Sequence, residues 1–222
     1  ESSELGMYTV ADQQMRGLPE TPRSISVTFE VVIDGQTIAF ARDLVYKRPD
    51  PVKGEVYKPF EIVDPVAMNF GQSVYIFEGG QPKELEVLVK CLANSFKGKM
   101  QWDLPKGWKA DPEEVMIDMQ GRGSTRLITL SIIPPEKQDQ GSLSANLKGD
   151  DGKVYTNSIY EIEYDHIPTQ LVFQPAQSKI VKLDLKRAGE KIAYVQGAGD
   201  DIPSNLREIG YQVDEIEPDK LS

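Results

Sequence analysis

The sequence predicts a mainly β protein, with tandem β-sandwich modules followed by a short, truncated α/β unit at the C-terminus. Three observations favour this fold class. Short runs of alternating apolar and polar residues recur along most of the 222 residues, and Gly, Pro and Asp separate them. No useful stretch with the helical period appears before residue 200. After residue 190 the pattern changes to an apolar strand, a glycine-containing turn and a short helix.

The first predicted module covers residues 1–64 and is either complete or partial. Its clearest element is a β-hairpin, because apolar side chains alternate with polar ones over residues 25–33. Asp34-Gly35 follows, a dipeptide typical of type I′ turns. Residues 37–41 are then the returning strand.

The second predicted module covers residues 65–168 and has the features of a complete sandwich. Its strands are short and regularly spaced, and glycines or Asp-Gly pairs mark the turns between them, which is typical of a β-sandwich. The predicted strands are 66–70, 74–77, 85–92, 100–104, 115–119, 126–133, 142–147 and 158–164.

The C-terminal part is predicted to contain a connector over residues 169–190, with some extended character, and the start of an α/β domain over residues 191–222. A β-α-β start of this kind cannot bury both faces of its sheet. We therefore expect it either to pack on the sandwich or to mark the boundary of a fragment. Its predicted elements are a strand at 191–196, a helix at 203–209 that ends at Gly210, and a strand at 213–216.

Composition limits the classes of partner. Hydrophobic residues make up 39% and charged residues 27% of the chain, which is ordinary for a globular protein. The net charge of -10 disfavours nucleic acid and anionic membranes as partners. No run of about 18 apolar residues predicts a membrane span. The first residue is Glu1 rather than Met, so we expect a fragment of a longer protein.

Residues suited to catalysis or metal binding are scarce in this sequence. Cys91 lies on an alternating strand and is predicted to be a buried, inert thiol. His166, the only histidine, lies at a strand end before a proline, where a structural hydrogen bond is expected. A zinc site needs three or four ligands, and a catalytic triad would need this one histidine without a Gly-x-Ser-x-Gly motif. We therefore predict no catalytic residue, no metal and no cofactor.

Two turns and two tryptophans have both a structural and a functional interpretation. Asp150-Asp151-Gly152 has residue types suited to calcium, but it lacks EF-hand spacing and fits a hairpin turn better. Gly197-Ala198-Gly199 resembles a phosphate-binding loop, but Asp200 and Asp201 would repel phosphate. Trp102 and Trp108 are interpreted as core residues, with glycan binding as the alternative.

Several motifs resemble known bacterial modules. Leu104-Pro105-Lys106-Gly107-Trp108 is similar to a strand end in the immunoglobulin-like modules appended to carbohydrate-active enzymes. Three further segments resemble the middle region of large LmbE/PIG-L-type deacetylase homologues, and the resemblance covers most of residues 5–222. These segments are 45–57, Tyr164-Asp165-His166-Ile167-Pro168, and the stretch from Gly197 to Pro203.

The resemblance implies immunoglobulin-like modules between an N-terminal deacetylase domain and a C-terminal domain similar to class I glutamine amidotransferases. It carries no catalytic residue onto this chain, because the metal-binding motif of the family, of the Ala-His-Pro-Asp-Asp type, has no match here. It implies a periplasmic or extracellular location. It also leaves open a metal-dependent deacetylase activity for the full-length parent.

From these observations we expect a non-catalytic spacer region of a multidomain, secreted LmbE/PIG-L-like (N-acetylglucosaminyl deacetylase-like) protein. The expected partners are the other domains of the parent, with glycan as a further candidate. One alternative is a carbohydrate-binding module that uses Trp102 and Trp108. The second is a fragment of a carboxylate-dependent glycoside hydrolase, although no spacing marks a carboxylate pair.

Overall fold

The computed structural model describes residues 12–18, 22–164, 166–167, 169–195, 197 and 201–217. The fold is mainly β, as predicted, with a 3₁₀ helix at Gln13–Met15 and a single α-helix among the described elements. The chain divides into two compact units. Unit 1 comprises Glu1–Ile62 and Glu161–Leu171, and unit 2 comprises Val63–Tyr160 and Val172–Ser222. Among the residues listed above, no helix has the length and apolar character needed to cross a membrane.

Unit 1 contains two antiparallel hairpins. The first joins β1 (Ser26–Ile33) to β2 (Gln36–Asp43), and the second joins β3 (Val45–Asp50) to β4 (Gly54–Pro59). The turn of the first hairpin has φ values of 51° at Asp34 and 78° at Gly35. Because a type I′ turn requires positive φ at both central positions, these values confirm the predicted hairpin.

The β1–β2 hairpin has one apolar face. Phe29 lies opposite Phe40, and Val31 lies opposite Ile38. These side chains are exposed, and 55% of Phe29 is accessible to solvent. In the described part of unit 1 no apolar side chain is buried, so its strands form a partial module rather than a closed core.

The β-sandwich lies in unit 2, and its smaller sheet has four antiparallel strands. Apolar residues occupy every second position along the central strands of this sheet, so one face is buried. The other face is mostly polar, with Leu88 and Leu127 exposed opposite each other. The strand order is β5 (Val66–Phe70), β7 (Lys83–Cys91), β11 (Thr125–Ile133) and β9 (Lys109–Asp111).

The larger sheet has six strands and packs its apolar face into the same core cluster. Phe77, Met100, Leu143 and Ile180 from this sheet are almost completely buried. The strand order is β10 (Glu114–Gln120), β8 (Ser95–Asp103), β12 (Asp139–Gly149), β16 (Gln177–Leu183) and β6 (Val74–Glu78), and β13 (Val154–Tyr155) pairs with β12.

The chain changes sheets between β5 and β6. β5 pairs with β7 in the smaller sheet, and β6 pairs in parallel with β16 in the larger one. Two backbone hydrogen bonds hold the intervening residues: Gly71 N donates to Glu86 O at 3.1 Å, and Lys179 N donates to Ser73 O at 2.9 Å. The first and last parts of the module therefore meet at one edge of the sandwich.

The segment predicted as a connector contains two strands. The first is β15 (Gln170–Pro175), which pairs with β14 (Asn157–Ile162) from the preceding part of the chain. The second is β16, which lies inside the larger sheet. Lys182 obscured this strand in the sequence, because a lysine at a core-facing position breaks the apolar alternation. It is 3% exposed, and its ammonium group donates to Glu136 O at 3.0 Å and to Asp184 Oδ1 at 2.8 Å. These bonds offset the desolvation of the buried charge.

The C-terminal part of unit 2, which we call the C-terminal unit, has the predicted β-α-β order. β17 (Lys191–Val195) and β18 (Gln212–Ile216) pair in parallel, and α1 (Ile202–Glu208) connects them. The helix ends before Gly210, whose φ of 86° favours glycine. Of the two expected outcomes, the structure shows packing on the sandwich, where Lys83 Nζ lies 2.5 Å from Glu208 Oε2.

Candidate functional site

Both tryptophans line one open cleft of about 510 Å³ in unit 2, which we call the tryptophan cleft. Trp102 lies near the end of β8, and Trp108 directly precedes β9. A tight turn joins them, in which Trp108 N donates to Pro105 O at 3.2 Å and Gly107 has a φ of 93°. The cleft is also lined by Asp103, Glu113 and Glu114, so the two glycan hypotheses concern the same surface.

Trp108 is a core residue. Its side chain is 5% exposed and packs edge-on against Phe77, with 5.0 Å between ring centroids and 77° between ring planes. Its Nε1 donates to Asp139 Oδ2 at 2.8 Å. A ring enclosed in this way presents little surface to a sugar, which favours the structural interpretation.

Trp102 is half-buried and packs against the core cluster. Its Nε1 donates to Pro112 O at 2.9 Å, which joins the end of β8 to the residues before β10. Part of its ring remains at the surface. Glycan binding by the two tryptophans therefore stays a prediction, and Trp102 is the residue with surface to contribute.

Glu114 is engaged in an ion pair beside this cleft. Its Oε1 lies 2.9 Å from Lys99 Nζ, and Gln101 Nε2 donates to its Oε2 at 3.3 Å. The hydrogen bond from Lys99 holds the pKa of Glu114 below its usual value. The general acid of a glycosidase needs the opposite shift, because it must stay protonated near neutral pH.

The Asp150-Asp151-Gly152 segment forms a hairpin turn between β12 and β13. Asp151 Oδ1 accepts from Lys153 N at 3.0 Å, and Asp151 Oδ2 accepts from Tyr155 Oη at 2.5 Å. This second bond is the largest cause that raises the pKa of Tyr155 to about 12, and it also lowers the pKa of Asp151. Both carboxylate oxygens thus stabilise the turn.

Replacing Asp151 by Asn should make the stability of unit 2 less dependent on pH in acid. Because the folded-state pKa of Asp151 is lowered, its contribution is complete above the unfolded value of about 4 and is lost as pH falls through the folded value. Urea unfolding below about pH 4 would show a shallower loss in the variant. Tyrosinate absorbance should also show that the Tyr155 titration moves to lower pH. Asp150→Asn removes a neighbouring charge and serves as control; equal effects of both substitutions would contradict the assignment.

The other residues singled out in the sequence lie apart from the tryptophan cleft. Cys91 is fully buried, as predicted, and its Sγ donates to Ala93 O at 3.3 Å. His166 is exposed, and its ring centroid lies 5.8 Å from that of Tyr164. The structural hydrogen bond expected for this histidine stays a prediction. The predicted Gly197-Ala198-Gly199 turn lies outside the described residues except for Gly197.

A second cleft has a volume of about 900 Å³, and nothing in the sequence predicts it. It lies in unit 2 where the chain passes from β5 to β6, and we call it the glutamine cleft. Its wall is formed by segments far apart in sequence, so no local motif signals it. Its polar lining includes Gln72, Ser73, Gln140, Ser142, Tyr160, Gln174, Gln177 and Lys179. In the described ranges, no group of three or more His, Cys, Asp or Glu side chains is arranged to hold a metal ion.

Comparisons with known proteins do not assign this chain to a family. No family model matches the chain, and a search of curated proteins finds no match. Among solved structures, the chain is similar to one described as "The details of glycolipid glycan hydrolysis by the structural analysis of a family 123 glycoside hydrolase from Clostridium perfringens". The identity is 9% and the TM-score 0.28, and the match covers 60% of this chain and 30% of that one.

Proposed function

We propose that this chain is a non-catalytic spacer within a larger, secreted protein of the LmbE/PIG-L type. The observation that supports it best is that the sandwich and the α/β start that follows it are joined by ion pairs within unit 2. A spacer must hold successive domains at a defined distance, and a loose linker would not do so. The periplasmic or extracellular location implied by the family resemblance is part of the proposal.

The first of these contacts is partly buried. Lys83 Nζ lies 2.5 Å from Glu208 Oε2 and also donates to Ile76 O at 2.7 Å, so it joins α1 to β6 and β7. The side chains of Lys83 and Glu208 are 29% and 23% exposed. A partly buried pair that shares its ammonium with a carbonyl is more favourable than an exposed pair.

The second contact lies in the segment after β16. Arg187 Nε donates to Glu78 Oε1 at 2.7 Å, and Arg187 Nη1 donates to the carbonyl oxygen of Gly210. The guanidinium carbon also lies 5.6 Å from the centroid of the Tyr211 ring. Arg187 thus bridges β6 and the residues that follow α1.

The electrostatics of the tryptophan cleft support a non-catalytic role. Glu114 is held in its charged form by Lys99 and Gln101, and the indole of Trp108 is occupied by Asp139. The contacts of Glu114 and Trp108 therefore serve to stabilise the fold. The glycosidase alternative would need a proton donor at this place, and the shift at Glu114 runs against that role.

Enzyme assays test the non-catalytic part of this proposal. We expect the purified chain to release no acetate from chitohexaose and no nitrophenol from nitrophenyl glycosides, with or without added Zn²⁺. Turnover that copurifies with the chain and disappears in Asp103→Asn or Glu113→Gln would overturn the proposal. Turnover that persists in both variants and disappears with further purification would leave it in place, because a contaminant would then be its source.

Replacing Glu208 by Ala should loosen the C-terminal unit from the sandwich. The loss of a partly buried ion pair is expected to cost about 1 kcal/mol of local stability, which corresponds to roughly fivefold faster local opening. Hydrogen exchange of residues 191–217, followed by mass spectrometry, measures this effect. Glu215→Ala is the matched control, because Glu215 pairs with Arg207 inside the C-terminal unit, at 2.7 Å. Equal exchange in the two variants would contradict a joining role for Glu208.

A further inference from the structure

We propose that the glutamine cleft binds a neutral, hydroxyl-rich ligand, namely a segment of an uncharged oligosaccharide. The inference goes beyond the spacer role, because a spacer needs no ligand. It also concerns a different surface from the tryptophan cleft, with which the glutamine cleft shares no lining residue. A volume of about 900 Å³ is within the range found for small-ligand sites.

The chemistry of the lining is the first support. Four glutamines line this cleft from three parts of the chain: Gln72, Gln140, and the neighbouring Gln174 and Gln177. None of the residues that line it is Asp or Glu, although the chain contains 35 such residues and has a net charge of -10. The cleft is therefore a neutral, amide-rich area on an acidic protein, with Lys179 as its one charged lining residue.

The framework of the cleft is held by hydrogen bonds of its backbone and of some of its side chains, and Gln72 Nε2 also donates to Glu208 Oε1 at 3.5 Å. Ser178 is buried, and its Oγ donates to Gln72 O at 2.9 Å. Gln72 N donates to the hydroxyl of Tyr75 at 3.1 Å, which fixes the chain where it changes sheets. On the neighbouring strand β12, Ser142 Oγ donates to Gln177 Oε1 at 3.4 Å. These contacts preorganise the cleft and reduce the ordering cost of binding.

The residue types select an uncharged sugar. A carboxamide both donates and accepts, as a sugar hydroxyl does, so each glutamine can bond to hydroxyls without requiring ligand charge. The ring of Tyr160 is 45% exposed at the edge of the cleft and offers an apolar surface beside these amides. A cluster of cations would be expected for a phosphate or sulfate ligand, and a cluster of carboxylates for a cation.

An extended peptide is less favoured as the ligand. Peptides commonly bind by adding a strand to an open sheet edge. β16, which contributes Gln177 and Lys179 to the cleft, already pairs with β12 on one side and β6 on the other. The backbone of β16 is therefore paired on both sides over residues 179–182, and recognition at this strand has to rely mainly on side chains.

Isothermal titration with cellohexaose, xylohexaose, maltohexaose and chitohexaose tests the proposal. We expect at least one of them to bind, and the double variant Gln72→Ala/Gln177→Ala to bind it about tenfold more weakly, since two hydrogen-bonding side chains are lost. Gln36→Ala/Gln120→Ala removes two glutamines that do not line the cleft and should leave the affinity unchanged. If the first double variant fails to fold, Gln140→Ala/Gln174→Ala replaces it.

Tryptophan emission separates this site from the other cleft. Both tryptophans line the tryptophan cleft, so binding at the glutamine cleft should leave their emission unchanged. No binding of the four sugars at millimolar concentration would overturn the proposal. Binding that quenches tryptophan and is insensitive to the glutamine substitutions would also overturn it. So would a preference for a heparin hexasaccharide or an unstructured peptide. None of these results bears on the spacer role, which the enzyme and exchange measurements test.

Discussion

Replacing Trp108 by Ala is expected to lower the free energy of unfolding of the sandwich by about 3–5 kcal/mol. The substitution leaves a cavity beside Phe77, whose ring packs edge-on against the indole. It also removes the donor to Asp139, so a half-buried carboxylate loses its 2.8 Å hydrogen bond. Because a small domain has only about 5–15 kcal/mol of stability in total, this loss is a large share of it. Urea unfolding followed by circular dichroism measures the change.

Two further variants separate the sources of this effect. Trp108→Phe retains an aromatic ring but removes the N–H donor, and we expect a smaller loss than for Trp108→Ala. Trp102→Ala should also cost less, because the Trp102 side chain is only half-buried. In Trp108→Phe the remaining Trp102 is the single tryptophan reporter, so its response to glycans tests the carbohydrate-binding alternative directly. A loss below about 1 kcal/mol for Trp108→Ala would contradict its assignment as a core residue.

The strands that the sequence predicted well have uninterrupted patterns. In β7, Leu85, Val87, Val89 and Cys91 occupy every second position, and every one of these four is buried, whereas Leu88 between them is apolar but exposed. The turn at Asp34-Gly35 was equally clear, because its residue types suit positive φ and few other conformations. Local sequence decides such elements, since burial on one face and turn chemistry act over a few residues.

The strands that the sequence missed lack a local signal. β9 and β13 have only three and two residues, which is too short for any periodicity. β16 carries the buried Lys182, whose partner carbonyl at Glu136 is 46 positions away in the sequence. The partners of these residues become neighbours only after folding, so reading along the chain could not find them.

The tryptophan cleft and the glutamine cleft differ in the same way in how far the sequence predicts them. Trp102 and Trp108 are close in sequence, and their joint presence in one cleft follows from a short turn. Gln72 and Gln177 face one cleft only because the chain changes sheets at Gly71–Ser73 and returns as β16. The carboxamide cluster is thus a product of topology, which a pattern of single residues does not encode.

Replacing Gly98 by Ala is expected to destabilise the sandwich by about 1–3 kcal/mol. Gly98 lies in β8, between β10 and β12, and its partner in β12 is Gly149. A Cβ at this position would lie 2.5 Å from Lys148 O and 3.0 Å from Gly149 Cα. Both contacts are with backbone atoms that cannot rotate away, so the two strands would have to separate. Chemical denaturation of the purified variant measures the loss.

Gly80→Ala is the control for this substitution, and the expected effects have opposite signs. A Cβ at Gly80 meets no atom within 4 Å, and the backbone there is not in the left-handed region. Alanine at such a site reduces the freedom of the unfolded chain, so the variant should be unchanged or more stable by up to about 1 kcal/mol. Gly98 also explains why the first half of β8 was not predicted from the sequence, because glycine has a low strand propensity. If Gly98→Ala were as stable as Gly80→Ala, the close approach of β8 and β12 would not be the reason for a glycine in this strand.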